Sequence, residues 1–159
     1  MMSQTPARDY LLADEAATLA AGQALARALT APAVVWLYGD LGAGKTTLVR
    51  GLLRGLGHTG AVKSPTYAIV ESYDLGAQHV HHFDLYRFAD PDEWLDAGLS
   101  DLFRPDSLCL IEWPLQGGGH VPAADVALTL SHHGEGRHLR LEAASTRGAH
   151  CLSDFHLDL

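Results

Sequence analysis

The stretch Gly39-Asp40-Leu41-Gly42-Ala43-Gly44-Lys45-Thr46 leaves few folds open to this chain, because it matches the pattern of Gly, four free positions, then Gly-Lys-Thr. The glycines let backbone amides turn toward one centre at φ values closed to other residues. The start of the following helix adds roughly half a positive charge at the same place. Such a centre suits a polyphosphate. Lys45 supplies a mobile positive charge for the β and γ phosphates, and the Thr46 hydroxyl is placed to hold a Mg²⁺ bridging the same oxygens. The flanks agree with a P-loop. Ala33-Val34-Val35-Trp36-Leu37-Tyr38 is a run of strand formers that reads as buried on both faces. Leu48, Val49, Leu52, Leu53 and Leu56 recur at helical spacing, with Gly57 as the C-cap. A glycine-rich turn without a ligand would need neither the Lys-Thr pair nor this strand-loop-helix setting.

The chain has 159 residues, 47% of them hydrophobic, which predicts one domain over residues 1–159 with a single sizeable core. Its formal charge is -8, with only two lysines, Lys45 and Lys63, and nine scattered arginines. Nucleic-acid affinity needs clustered Lys and Arg, so any nucleic acid is expected to reach the chain only through a partner, and DNA is not expected as a ligand. Cys109 and Cys151 form no Cys-x-x-Cys pair, which fits a reducing compartment. Near the N-terminus Arg8, Asp9, Asp14 and Glu15 interrupt any apolar signal core, and no apolar run is long enough to span a bilayer. The expected location is the cytoplasm.

In chain order, residues 1–13 read as a loose, peripheral lead-in. Asp14 caps a predicted helix running through Leu29, with Ala17, Ala21, Leu25 and Ala28 on its apolar face. After the P-loop helix, Pro65 forces Ser64 out of helical conformation, and the residues from Thr66 to Tyr73 alternate as a strand would. A turn at Asp74 to Ala77 leads to a hairpin partner over Gln78 to Tyr86. Within that partner Val80, His82, Asp84 and Tyr86 share one face. Asp90-Pro91-Asp92-Glu93 carries a cap, a proline at the first helical position and a capping box, with Trp94, Leu95 and Leu99 facing the core. Leu108 to Glu112 reads as a buried strand ending in an acid, closed by Trp113 and Pro114. Val126, Leu128 and Leu130, then Leu139 and Leu141, predict a closing hairpin around Gly134 to Gly136. Residues 146–159 read as peripheral.

Two acids compete for the phosphate end of the sheet. Glu112 fits the buried strand that delivers one carboxylate there, so it is assigned to the metal or its water. Asp84 becomes the candidate for orienting an attacking water. The plainer reading makes each a strand-end carboxylate paired with an arginine such as Arg87, which is also the one arginine the sequence places near the P-loop. Thr66, in Ser64-Pro65-Thr66, is either a switch hydroxyl that senses the γ phosphate or part of an ordinary strand-entry turn. The histidines His79, His81 and His82 make a poor metal set, since neighbours on a strand point to opposite faces. No Asn/Thr-Lys-x-Asp motif is present to select guanine, and no arginine-rich lid of the small-molecule kinase type follows the P-loop. A nucleotide-gated binding protein that does not hydrolyse ATP is the alternative from a different class.

Together, the P-loop with Thr47, Thr18, Ser64-Pro65-Thr66-Tyr67, His82-Phe83-Asp84-Leu85-Tyr86-Arg87 and Ile111-Glu112-Trp113-Pro114 resemble the TsaE family, formerly YjeE, of bacterial tRNA threonylcarbamoyladenosine biosynthesis ATPases. The resemblance covers about residues 14–142. It implies an α/β P-loop NTPase fold, with a central mixed, mostly parallel sheet, helices on both faces and antiparallel hairpins. It also implies an ATPase joining the proteins TsaB and TsaD, of which TsaD transfers a threonylcarbamoyl group to a tRNA adenosine. On this chain the family's ATP contacts fall on Gly39, Asp40, Leu41, Gly42, Ala43, Gly44, Lys45, Thr46 and Thr47. Its Mg²⁺ falls on Thr46 and Glu112, and its essential carboxylates on Asp84 and Glu112. The switch threonine is Thr66 and a nucleotide-sensing tryptophan is Trp113. Leu115 departs from the pattern, standing where many members carry an acid.

Overall fold

Seven strands form one mixed sheet in the computed structural model of the protein, which describes residues 7–40 and 42–158. They are β1 (Ala7–Leu12), β2 (Ala33–Tyr38), β3 (Val70–Asp74), β4 (His79–Asp84), β5 (Ser107–Glu112), β6 (Val126–His133) and β7 (Gly136–Ala143). Across the sheet the order is β1-β7-β6-β2-β5-β4-β3. The four central strands β6, β2, β5 and β4 pair in parallel, and antiparallel hairpin partners close both sides. The centre reads as nearly continuous apolar sequence because both of its faces are covered. All six residues of β5 are buried.

One face carries α1 (Glu15–Ala28), α2 (Lys45–Gly55) and α4 (Thr146–Ser153), packed on Val35, Leu37, Leu108, Leu110, Leu128 and Leu130. The other is covered by the short helix α3 (Glu93–Asp96) and 3₁₀ turns over residues 99–102 and 114–120. Phe83, Cys109, Ile111 and Trp94 meet there. The expected helix start is present: the Asp14 side chain accepts from the Ala17 amide at 2.9 Å. Helices α1 and α2 approach backbone to backbone. A Cβ added at Gly22 would collide with the Leu48 carbonyl, and one at Gly51 with the Leu19 carbonyl. Glycine at both positions therefore sets how closely α2, and the P-loop that precedes it, can seat.

Four expectations need correction. Residues from Ala7 to Leu12 are not a loose lead-in: they form the edge strand β1, in antiparallel register with β7. The strand expected from Thr66 begins only at Val70. Before it, the Ile69 amide donates to the Pro65 carbonyl at 2.9 Å, and Ile69 holds a left-handed φ of 69°, which an extended strand does not admit. One half of the predicted capping box forms, Glu93 accepting from the Asp90 amide at 2.9 Å, whereas the Asp90 carboxylate accepts from the Asp92 amide at 2.8 Å and not from Glu93. The helix nevertheless stops after one turn, with Gly98 at φ 64°, and Leu95 is 56% exposed rather than facing the core. Nor are residues 146–155 peripheral: Ser145 caps α4 through the Gly148 amide, and Cys151, Leu152 and Phe155 are buried in the core.

Candidate nucleotide site

Parallel pairing brings the carboxyl ends of β2, β5 and β4 side by side. Leu37 pairs with Glu112, and Glu112 with Asp84, so the P-loop leaves β2 directly beside both acids. Ligands of open α/β sheets bind at this end of the strands. His82, Asp84 and Glu112 lie on the face that carries α2, because residues two apart on a strand share a face.

A cavity of about 330 Å³ at this place is lined by Gly42, Gly44, Lys45, Thr46, Thr47, Ser64, Thr66, Asp84, Glu112 and Arg137. Helix α2 opens at Gly44, which holds a φ of 102° and has no side-chain cap. The free amides of its first turn thus face the cavity without an acceptor of their own, which is the condition for binding an anion. Thr46, Asp84 and Glu112 supply hard oxygen donors of the kind Mg²⁺ takes, along with phosphate oxygens. Among the described residues no group of three or more His, Cys, Asp or Glu could hold a metal without such help.

Lys45 is buried, 6% exposed, and its ammonium donates to the Gly39 carbonyl and to Glu112 Oε1 at 3.0 Å. Its nitrogen also lies 5.4 Å from the centre of the Trp113 ring. The second oxygen of Glu112 meets His82 Nε2 at 2.6 Å. Burial alone would push the Glu112 carboxyl up, but the hydrogen bond and charge of His82 and the ammonium of Lys45 outweigh it and hold the carboxyl below its ordinary value. Asp84 goes the other way. Burial raises its carboxyl and nearby Glu112 adds to the rise, against the Tyr86 amide at 2.9 Å, Lys45 and His82. Two neighbouring carboxylates thus hold protons differently, one kept ionised by a cation and one left less well compensated.

Most of the residues singled out from the sequence converge here. Thr66 Oγ1 donates to Asp84 Oδ2 at 3.4 Å and shares a 2.8 Å hydrogen bond with Ser64, so this segment reaches the cavity as a turn. Gly39, Asp40 and Trp113 line a neighbouring apolar cavity of about 450 Å³ with Pro114 and Leu115. Trp113 adopts a left-handed φ of 55°, and its buried Nε1 has no partner among the described residues. Ala43 is buried and its carbonyl faces Arg137, while Leu41 lies outside the described residues.

Three readings change. Arg87 pairs with neither acid and stands 4.4 Å over the exposed Tyr67 ring. His82, considered from the sequence only as part of a poor metal set, is fully buried beneath Glu112. Arg137, not Arg87, is the arginine that lines the cavity. For His82 a signal was available, since it lies two residues before Asp84 on the same strand face.

The family model described as threonylcarbamoyl adenosine biosynthesis protein TsaE matches residues 12–139 of this chain. The chain belongs to the TsaE family. Among TsaE proteins, that of Haemophilus influenzae is 48% identical over 122 residues, 77% of each chain. That of Nostoc is 38% identical over 129 residues, covering 79% of this chain and 78% of the relative. The crystal structure of Bacillus subtilis YdiB superimposes with a TM-score of 0.82 at 25% identity, with 97% of both chains covered. The TsaE match spans β2, the P-loop, both acids and Arg137, so the residues lining the cavity fall inside it. The architecture is accordingly that of the P-loop NTPases.

Proposed function

We propose that this TsaE-family chain is a Mg²⁺-dependent ATP hydrolase acting with TsaB and TsaD in threonylcarbamoyl modification of tRNA. The observation that carries the reading is the uncapped start of α2, meeting Lys45, Thr46, Asp84 and Glu112 in one cavity. Family membership supports the pathway.

In this reading the segment from Gly39 to Thr47 cradles the phosphates. Lys45 exchanges the Gly39 carbonyl and Glu112 for the β and γ oxygens, which frees Glu112 Oε1. Thr46 and Glu112 would hold Mg²⁺, which would supply charge neutralisation at the β and γ phosphates. Asp84, the less compensated carboxylate, orients the attacking water. Thr66, hydrogen-bonded to Asp84, is the switch hydroxyl, and Trp113 responds to nucleotide from the adjoining cavity. The acidic surface, with a formal charge of -8, favours tRNA reaching the chain through its partners, with DNA not a ligand. No helix among the described residues is long and apolar enough to cross a membrane, and the proposed place of action is the cytoplasm, for one domain.

Single-turnover phosphate release, with protein in excess over ATP and Mg²⁺, tests the proposal. Slow release by the chain alone, accelerated by TsaB and TsaD, is the expected result. ATP binding with no release under either condition would make the chain a nucleotide-gated binding protein instead.

A further inference from the structure

Arg137 reaches the P-loop from β7, a strand far away in sequence. Its Nε donates to the Ala43 carbonyl at 2.7 Å and its Nη2 to the Gly42 carbonyl at 3.4 Å, while Nη1 is anchored on its own strand by the Gly136 carbonyl at 2.8 Å. One planar group therefore spans two successive carbonyls of the loop. Among the described residues no carboxylate forms an ion pair with it, although Asp14, Glu15 and Glu135 line a small cavity beside it. The side chain also forms the wall between the cavity holding Lys45 and a second, smaller one lined by Asp14, Thr18 and Thr47.

These contacts act through the geometry of the peptide unit. The Ala43 carbonyl and the Gly44 N–H belong to one planar, trans peptide and point in opposite directions. Fixing the carbonyl outward on Arg137 aims the Gly44 N–H away from the guanidinium. A cation at the oxygen also polarises that N–H, strengthening it as a donor to an anion. Gly44 opens α2 and has no side-chain cap, so this amide is one of those free for an anion.

We propose that Arg137 is a positioning residue for the P-loop, fastening its outer carbonyls so that the cradle is set before a nucleoside di- or triphosphate arrives. This rests on the nucleotide reading of the site. A cradle formed in advance binds more tightly because less ordering is left to the ligand. The effect falls on ADP and ATP alike, since the clamp acts through the loop. It needs the planar fork, which a lysine does not reproduce.

The test compares wild type with Arg137→Lys, Arg137→Gln and Lys45→Ala by calorimetric titration with Mg·ADP and with Mg·ATP, alongside steady-state kinetics. Both Arg137 variants are expected to weaken ADP and ATP binding by a similar factor, on the order of tenfold. KM should rise, with a much smaller change in kcat. Amide hydrogen exchange in nucleotide-free Arg137→Lys should speed up over residues 42–45 and stay unchanged in β5, which distinguishes a loosened cradle from a damaged fold. Full rescue by lysine would overturn the proposal in favour of bare charge. A loss confined to ATP with kcat collapsing would make Arg137 a catalytic residue instead, and unchanged affinity and exchange would also overturn it. Wild-type protein that binds neither nucleotide would instead defeat the nucleotide reading itself, with Lys45→Ala then indistinguishable from wild type.

Discussion

Glu112→Gln separates what Glu112 does for the fold from what it does for the reaction. In the protein as described, Glu112 and Lys45 are both about 6% exposed and meet at 3.0 Å, while the other carboxylate oxygen takes His82 at 2.6 Å. A glutamine keeps the shape but offers one acceptor where two donors converge, so Lys45 keeps its acceptor only if the amide NH₂ turns to His82, whose Nε2 must then give up its proton and accept. Removing one partner of a buried ion pair costs about 3–5 kcal/mol. Because one acceptor survives, the lower end of about 3 kcal/mol applies here. For a chain of this size each kcal/mol moves the melting temperature by about 2–4 °C, so nucleotide-free Glu112→Gln should melt about 6–12 °C below wild type. Lys45 loses its competitor at the same time. Mg²⁺-free ADP binding should then be retained or tightened, while single-turnover hydrolysis of Mg·ATP falls at least tenfold. Thermal melts with and without ADP, followed by rapid-quench phosphate release, measure all three. A variant that melts with wild type, or loses ADP affinity tenfold, would show that Lys45 is not held in reserve by Glu112.

Asp84→Asn should leave nucleotide affinity within a few-fold of wild type and slow hydrolysis at least tenfold, about 1.4 kcal/mol on the barrier; wild-type turnover would make Asp84 structural. Gly51→Ala places a Cβ against the Leu19 backbone and should destabilise the protein by about 1–3 kcal/mol in urea melts, with no loss if α1 and α2 separate freely. His81 supplies a pH dependence. Burial holds its imidazole below the ordinary value, His79 and Arg104 push the same way, and Asp106 opposes them. The unfolded chain therefore takes up this proton first as the pH falls. Stability contributed by neutral His81 is present above the ordinary histidine value and is lost as the pH falls from there through the lowered folded value, so His81→Gln should flatten the stability profile from about pH 7 to 5. An unchanged profile would remove His81 as the source.

The central strands, the P-loop helix and the closing hairpin were legible because each carries a local signal: apolar runs, helical spacing, glycine at the turn. The segment from Thr66 to Ile69 was not. Its alternation suits a strand, but the Ser64 and Thr66 hydroxyls bond to one another and to Asp84, and Ile69 turns left-handed before β3 can begin. Strand β1 was missed for a different reason. Its residues Arg8 and Asp9 read as polar lead-in, and only the free edge of β7, formed more than a hundred residues later, gives them something to pair with. Asp125 belongs to the same class. It accepts from the Val34 amide at 2.9 Å and from Ser145 at 2.7 Å, joining β2 to the start of α4.

Arg137, the site residue that carried no signal in the sequence, shows the same dependence on topology. Counting arginines along the chain around the P-loop assumes that what is close in sequence is close in space. The sheet order β7-β6-β2 instead sets β7 two strands from the strand that delivers the loop. The Leu130 carbonyl of β6 lies where a Cβ on Gly39 would sit, so the tip of the β6–β7 hairpin abuts the cradle. Arg137 arrives on that tip. Arg87, near Asp84 in sequence, is carried outward by the turn that follows β4 and stacks on Tyr67. The guanidinium that touches the loop is thus engaged by the Ala43, Gly42 and Gly136 carbonyls even though it lines the cavity. In the proposed hydrolysis, neutralising the charge that spreads over the transferring phosphoryl group would then fall to Lys45 and a metal, or to a cation brought by a partner protein. The prediction that TsaB and TsaD accelerate hydrolysis therefore rests on where Arg137 is anchored, not on a shortage of arginine in the sequence.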